Sequence, residues 1–144
     1  MTQFKSAKFA APKMMTNDGC AVFINDSLAI AIAPVVSDTY DFLLPKGFEL
    51  SYLRILATDM DTGTPALAFS IGYAPVASGG PTADTTYFKA AGAIGQAAGG
   101  FDCDFIPIAF EEDMYLRLTC TTIAATFAVG TVRATMGGNM VGVR

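Results

Sequence analysis

The chain contains no histidine and no tryptophan, holds only three cysteines in 144 residues, and is poor in charge. Each shortage excludes something. Without histidine there is no Ser-His-Asp or Cys-His arrangement, no His-ligated zinc, and no ordinary general base near neutral pH. Cys20, Cys103 and Cys120 are odd in number and form no Cys-x-x-Cys pair. A Cys₄ zinc site is therefore impossible, and the thiols read as small hydrophobes of a reduced, intracellular protein. There is no Gly-x-x-x-x-Gly-Lys-Ser/Thr loop, and Gly92-Ala93-Ile94-Gly95 and Gly99-Gly100 lack the strand-to-helix setting of a dinucleotide fingerprint. No catalytic residue, metal or cofactor is expected, and the chain reads as a non-enzyme.

Charged residues make up 15% of the chain and apolar residues 52%, where a typical soluble domain carries about 25% charge. A bilayer is not the explanation. The most apolar run, Leu28 to Val36, is nine residues long with a proline inside, and a spanning helix needs about 20. The remaining explanation is a surface partly buried against other protein chains, since permanent interfaces resemble a domain core cut in half. The first segment, Met1 to Lys13, holds Lys5, Lys8 and Lys13 with Phe4 and Phe9 and no acid. It has no continuous apolar stretch of the secretory type. Without it, six basic and thirteen acidic residues leave the body at −7. Residues 1–19 are thus a basic N-terminal arm, which either docks on a neighbouring subunit or frays. The acidic body, 20–144, argues against nucleic-acid binding, which calls for a basic face.

What is present is a near-repetition. Tyr52-Leu53-Arg54-Ile55-Leu56-Ala57-Thr58 returns as Tyr115-Leu116-Arg117-Leu118-Thr119-Cys120-Thr121. Each copy is followed by a second alternating stretch, Pro65 to Tyr73 and Phe127 to Thr135. Period-2 alternation marks strands with distinct faces. Leu53, Ile55 and Ala57, and likewise Met114, Leu116, Leu118 and Cys120, are expected inward. Tyr52, Arg54, Thr58, Tyr115, Arg117, Thr119 and Thr121 are expected outward. Further strands are expected at Ser27 to Ala33 (Leu28, Ile30 and Ile32 on one face), Tyr40 to Leu44 and Phe105 to Phe110. Seven or eight strands at this spacing predict an all-β, jelly-roll-like antiparallel sandwich in a single domain. One Gly/Ala-rich insertion, 74–100, interrupts the pattern, and Thr82 or Asp84 could cap a short helix inside it. A long insertion of this kind is expected to touch a partner.

Acidic pairs are the other candidates. Asp59 and Asp61 sit in a turn, but serine stands where a calcium loop needs its final glutamate, so a solvated acidic turn is expected. Asp102, Asp104 and the Glu111-Glu112-Asp113 cluster are the only prospects for a two-carboxylate hydrolase. Tyr and Arg are enriched in interface hot spots, so Tyr52, Arg54, Tyr115 and Arg117 are the interface candidates of the repeated strands. Tyr87 and Phe88 of the insertion, and Phe4, Lys5, Lys8 and Phe9 of the arm, join them. Ordinary strand-face packing of Tyr on Arg is the competing reading.

Leu44-Pro45-Lys46-Gly47-Phe48 leading into a strand, the turn Asp59-Met60-Asp61-Thr62-Gly63-Thr64-Pro65-Ala66-Leu67 and then Ser70-Ile71-Gly72-Tyr73 resemble small structural proteins of tailed bacteriophages. The resemblance covers about Tyr40 to Thr135, closing on a Tyr115 to Thr135 hairpin, and looks most like head decoration or cement proteins. It implies a jelly-roll protein made in the host cytoplasm and carried on the capsid surface of the virion. It further implies a homo-oligomer such as a trimer, partnered by the major capsid protein, with no membrane or nucleic-acid partner. A glycan- or receptor-binding head or tail fibre module, or another head-tail component, is the alternative.

Overall fold

The computed structural model describes residues 1–5 and 21–142. Ten strands run through them: β1 (Gln3–Lys5), β2 (Ala21–Ile30), β3 (Thr39–Leu44), β4 (Phe48–Ala57), β5 (Ala68–Pro75), β6 (Asp84–Gly92), β7 (Gly99–Asp102), β8 (Ile108–Ala109), β9 (Met114–Thr122) and β10 (Gly130–Met140). The first sheet has the order β1-β3-β9-β5-β6. The second has the order β2-β10-β4-β7, with β8 also paired to β4. All pairings are antiparallel except β1 on β3, which is parallel. From β2 onward the chain changes sheet at every connection except β5 to β6 and β7 to β8. Two interlocked antiparallel sheets wound in this way are a jelly-roll sandwich.

The repeated strands occupy the middle of this winding. β4 lies in the second sheet and β9 in the first. Their followers cross over, so that β4 pairs with β10 and β5 pairs with β9. The two units are therefore interlocked arches, each supplying the partner strand of the other. The hairpin expected from Tyr115 to Thr135 is one of these arches, because β9 and β10 belong to different sheets. The core lies where the inward faces meet. Leu53, Ile55, Leu116, Leu118 and Cys120 are buried in the expected phase, together with Phe42, Phe69 and Met136.

Phase alone misses one feature of β4. Phe48 and Leu50 point inward at even positions, and Leu53, Ile55 and Ala57 at odd ones. The switch falls at Ser51. There the β10 register steps from Gly137↔Tyr52 to Gly138↔Leu50, a β-bulge that turns the strand's faces over.

The expected helix after Thr82 is absent, and the segment forms β6 instead. Thr85, Thr86, Tyr87 and Phe88 are β-branched or aromatic, which favours a pleated, half-buried surface over a helix. β6 folds back irregularly on β5, with register shifts on both sides of Ile71. Gly72 permits this close approach, since a Cβ there would collide with the Asp84 carbonyl. Phe105 to Phe110 yields only the two-residue β8; Pro107 has no N–H for a ladder, and Phe105 and Phe110 pack as rings against Phe88 and Tyr73. Ile32 lies beyond the end of β2 and is exposed.

The Asp59–Asp61 turn is only half solvated. Asp59 is exposed, but Asp61 is buried and ties the two arches together. Its Oδ2 accepts the amides of Ala66 (2.8 Å) and Leu67 (2.9 Å), and its Oδ1 those of Ala125 (3.0 Å) and Thr126 (3.1 Å). These backbone hydrogen bonds hold the carboxyl below its ordinary pKa against the opposing effect of burial. The solvated turn expected here is thus a buried cross-brace.

Candidate interaction surface

The two Tyr-x-Arg copies keep their phase but differ in what lies over them. On the outer face of the second sheet, Tyr52 and Arg54 converge on Asp102 of β7, which stands opposite Arg54 in register. The Tyr52 hydroxyl donates to Asp102 Oδ1 at 2.9 Å, and Arg54 Nη1 donates to Oδ1 and Oδ2 at 3.0 and 3.2 Å. These bonds, Tyr52 first, depress the Asp102 carboxyl, while hydrogen bonding to Asp102 raises both the Tyr52 phenol and the Arg54 guanidinium. At neutral pH the trio is therefore a neutral phenol, a carboxylate and a guanidinium, with no net charge.

Beside it stands Phe23 of β2, 61% exposed, with its ring edge-on to Tyr52 at 6.3 Å. The strand between them, β10, carries Gly137 at the crossing point, where a Cβ would press into the Phe23 ring and Tyr52. Arg133 projects from the same face of β10, because Val132, Ala134 and Met136 take the inward positions. The face thus presents two aromatic side chains and two arginines over a sheet. Phe23 and Arg133 were missed as site residues. The β10 alternation already gave Arg133 its direction, whereas the partnership of Phe23 with Tyr52 depends on the long-range β2–β10–β4 order.

The second copy is enclosed. Tyr115 is only 6% exposed. Arg117 makes a bidentate pair with the buried Asp41, Nε to Oδ1 and Nη2 to Oδ2, each 2.8 Å. Gln3 Nε2 adds a bond to Asp41 Oδ2 at 2.6 Å. The start of the arm is therefore part of this lock. Thr39 donates its amide to the Thr2 carbonyl, Thr2 donates to Asp38, and Phe4 stacks on Tyr40 at 4.9 Å. Lys5 Nζ lies 5.5 Å from the Tyr115 ring centre, and the Arg117 guanidinium carbon 5.3 Å. Phe4 is half-buried against the core, and Lys5 is exposed. Lys8, Phe9 and Cys20 lie outside the described residues.

In the insertion, Phe88 is buried in the core among Tyr73, Tyr87 and Phe105. Tyr87 is half-buried and donates its hydroxyl to the Ile106 carbonyl at 3.0 Å. Asp104, Glu111, Glu112 and Asp113 are exposed. Among the described residues, no group of three or more Cys, Asp or Glu side chains comes together to hold a metal ion.

The jelly-roll winding defines the class of the fold. No protein-family model matches the sequence, and no curated protein does so. Solved structures do. The chain is similar to one in the capsid of Ralstonia phage GP4, with a TM-score of 0.66 and 20% identity over 96% of this chain and 98% of that one. It is also similar to one in the capsid asymmetric unit of cyanophage Pam1, with a TM-score of 0.65 and 17% identity over 89% and 93% of the two chains. At these identities the likeness is one of fold.

Proposed function

We propose that the chain is a non-enzymatic structural protein of a bacteriophage virion, binding the outer capsid surface as a homo-oligomer and stabilising the head. The observation that carries this reading is the end-to-end match with a chain of the Ralstonia phage GP4 capsid, which leaves 2% of that chain unaccounted for. The match thus runs through nearly the whole of that chain. Low charge and the apolar excess support a life spent against other proteins. The outer face of the second sheet is the natural shell contact: Phe23, Tyr52, Arg54 and Arg133 belong to the residue types that dominate interface energies. The major capsid protein is its partner. Symmetry multiplies a modest contact per subunit into firm attachment.

The test is co-sedimentation of the purified protein with expanded phage heads lacking it, followed by heating of the heads. Saturable binding and a higher head-disruption temperature are expected. A paired Phe23→Ala, Tyr52→Ala variant should keep the subunit's own melting temperature and lose most of the binding. Failure of the wild-type protein to bind heads would refute the proposal.

A further inference from the structure

The four connections at one end of the sandwich are nearly free of charge, and we infer that this end is where copies of the chain meet, head to tail, around a common axis. The inference rests on the homo-oligomeric part of the proposed function. Register fixes which connections share the end. Ile30 pairs with Gly130, Val132 with Ala57, Ala57 with Gly99, Thr122 with Ala68, and Phe69 with Gly92. The segments 31–38, 58–67, 93–98 and 123–129 therefore gather together. Their only charged residues are Asp38, Asp59 and Asp61, of which Asp38 and Asp61 are buried.

Among the described residues, the opposite end carries exposed Asp104, Glu111, Glu112 and Asp113 against Lys46. These four acids repel their counterparts on another copy. Copies can approach through the other end, whose four connections expose one charged side chain, Asp59.

The charge-poor end has two unlike halves. On the β2/β10 side, Ile32, Val35, Val36, Ile123 and Val129 project into solvent, with Ile32, Val35 and Val129 exposed by 68%, 60% and 69%. The bond from the Ser37 amide to the Cys120 carbonyl sets the two loops side by side. Five exposed aliphatics on adjoining loops exceed the single scattered ones that need no explanation. On the β4/β7 side lies a groove of about 380 Å³, lined by Ile55, Pro65, Ile94, Ala97 and Phe101 among glycines and alanines, with Gln96 as its polar side chain. Projecting aliphatics on one flank and an apolar recess on the other make a heterologous contact, the kind that closes into a ring when the rotation between copies allows. The occupant of the groove is the aliphatic loop pair of a second copy.

Mixing two variants tests this. Val35→Glu spoils the loops and leaves the groove, and Ala97→Glu spoils the groove and leaves the loops; both positions are exposed. Native mass spectrometry and circular dichroism are measured on the wild type, on each variant and on their equimolar mixture. The wild type is expected as a closed oligomer and each variant as a folded 15.1 kDa monomer. The mixture should give dimers, because intact loops of one variant meet the intact groove of the other. A variant that keeps the wild-type mass overturns the inference. A mixture that stays monomeric overturns the head-to-tail arrangement. A wild-type monomer overturns it too, while head co-sedimentation separately decides whether the virion reading survives.

Discussion

Consider Arg117→Met, which keeps the stem of the side chain and removes its guanidinium. Asp41 is fully buried and holds three charge-assisted hydrogen bonds, two from Arg117 and one from Gln3. The variant deletes the two from Arg117. Breaking a buried ion pair from one side costs about 3–5 kcal/mol.

The expected loss is therefore about 3–5 kcal/mol, or about 10 °C in melting temperature for a domain of this size. Urea unfolding measures it. The double variant Asp41→Leu, Arg117→Met removes the stranded charge and should recover to within about 1 kcal/mol of wild type. Arg54→Met is the control from the other copy. The Arg54 and Asp102 side chains are 39% and 55% exposed, so water replaces the lost partner and the unfolding midpoint should not move. The reasoning fails if Arg117→Met is within about 1 kcal/mol of wild type, or if the double variant is no more stable than Arg117→Met.

Tyr40→Phe should stabilise the fold by about 1 kcal/mol, read as a rise of about 3–5 °C in melting temperature, because the Tyr40 hydroxyl is buried with no hydrogen-bond partner among the described residues. Asp61→Asn should lower the melting temperature, since an amide nitrogen would face two of the four N–H donors that Asp61 now accepts. Because the Asp61 carboxyl is depressed in the fold, its stabilisation is complete above the unfolded aspartate range and is lost as pH falls through the folded value. An acid titration of melting temperature should accordingly be flatter for Asp61→Asn than for wild type. Burial pushes the Cys103 and Cys120 thiols from 9.0 up to about 11. The fold holds those protons more tightly than the unfolded chain, so this stabilisation is intact below pH 9.0 and disappears as pH rises towards about 11. Melting temperature should fall across that window, and fall less steeply in a Cys103→Ala, Cys120→Ala variant.

The inward phase of β4 and β9 was legible in the sequence because alternation is a local property: Leu53, Ile55, Leu116 and Leu118 follow from spacing alone. Outward exposure was not legible. Whether an outward residue meets water depends on what the rest of the chain lays over that face, which is why Tyr52 stays at the surface and Tyr115 does not. Asp61 looked solvated for the same reason. Its partners at Ala125 and Thr126 lie 64 and 65 residues away, a distance across which turn chemistry carries no information. The strand at 84–92 was misread through its glycine and alanine flanks, although its own Thr-Thr-Tyr-Phe core carried the β signal. The bulge at Ser51 was not read from the sequence, although the buried positions change phase between Leu50 and Leu53. The glycines that face it, Gly137 and Gly138, acquire their meaning only once β10 is placed beside β4.

The interlocked arches explain why one motif can serve two ends. Each copy needs an inward Leu-x-Leu or Leu-x-Ile face, because both strands sit inside their sheets and build the same core. Core packing therefore asks for the same residue at Leu53 and Leu116 and says nothing about the opposite face. That face is decided by position in the sandwich. At β9 it lies next to β3, whose neighbour β1 brings Gln3 and Lys5 to Asp41 and Tyr115, so the Tyr-Arg pair becomes a lock on the subunit's own edge. At β4 the same pair lies between β10 and β7, where Asp102 neutralises the arginine and Phe23 extends the aromatic surface. A cation already held by Asp102 is pre-organised for a partner surface and brings no unbalanced charge into a contact. The copy that assembles the subunit is thus the one whose loss should unfold it, and the copy that faces out is the one whose loss should be felt only when the protein meets its partner.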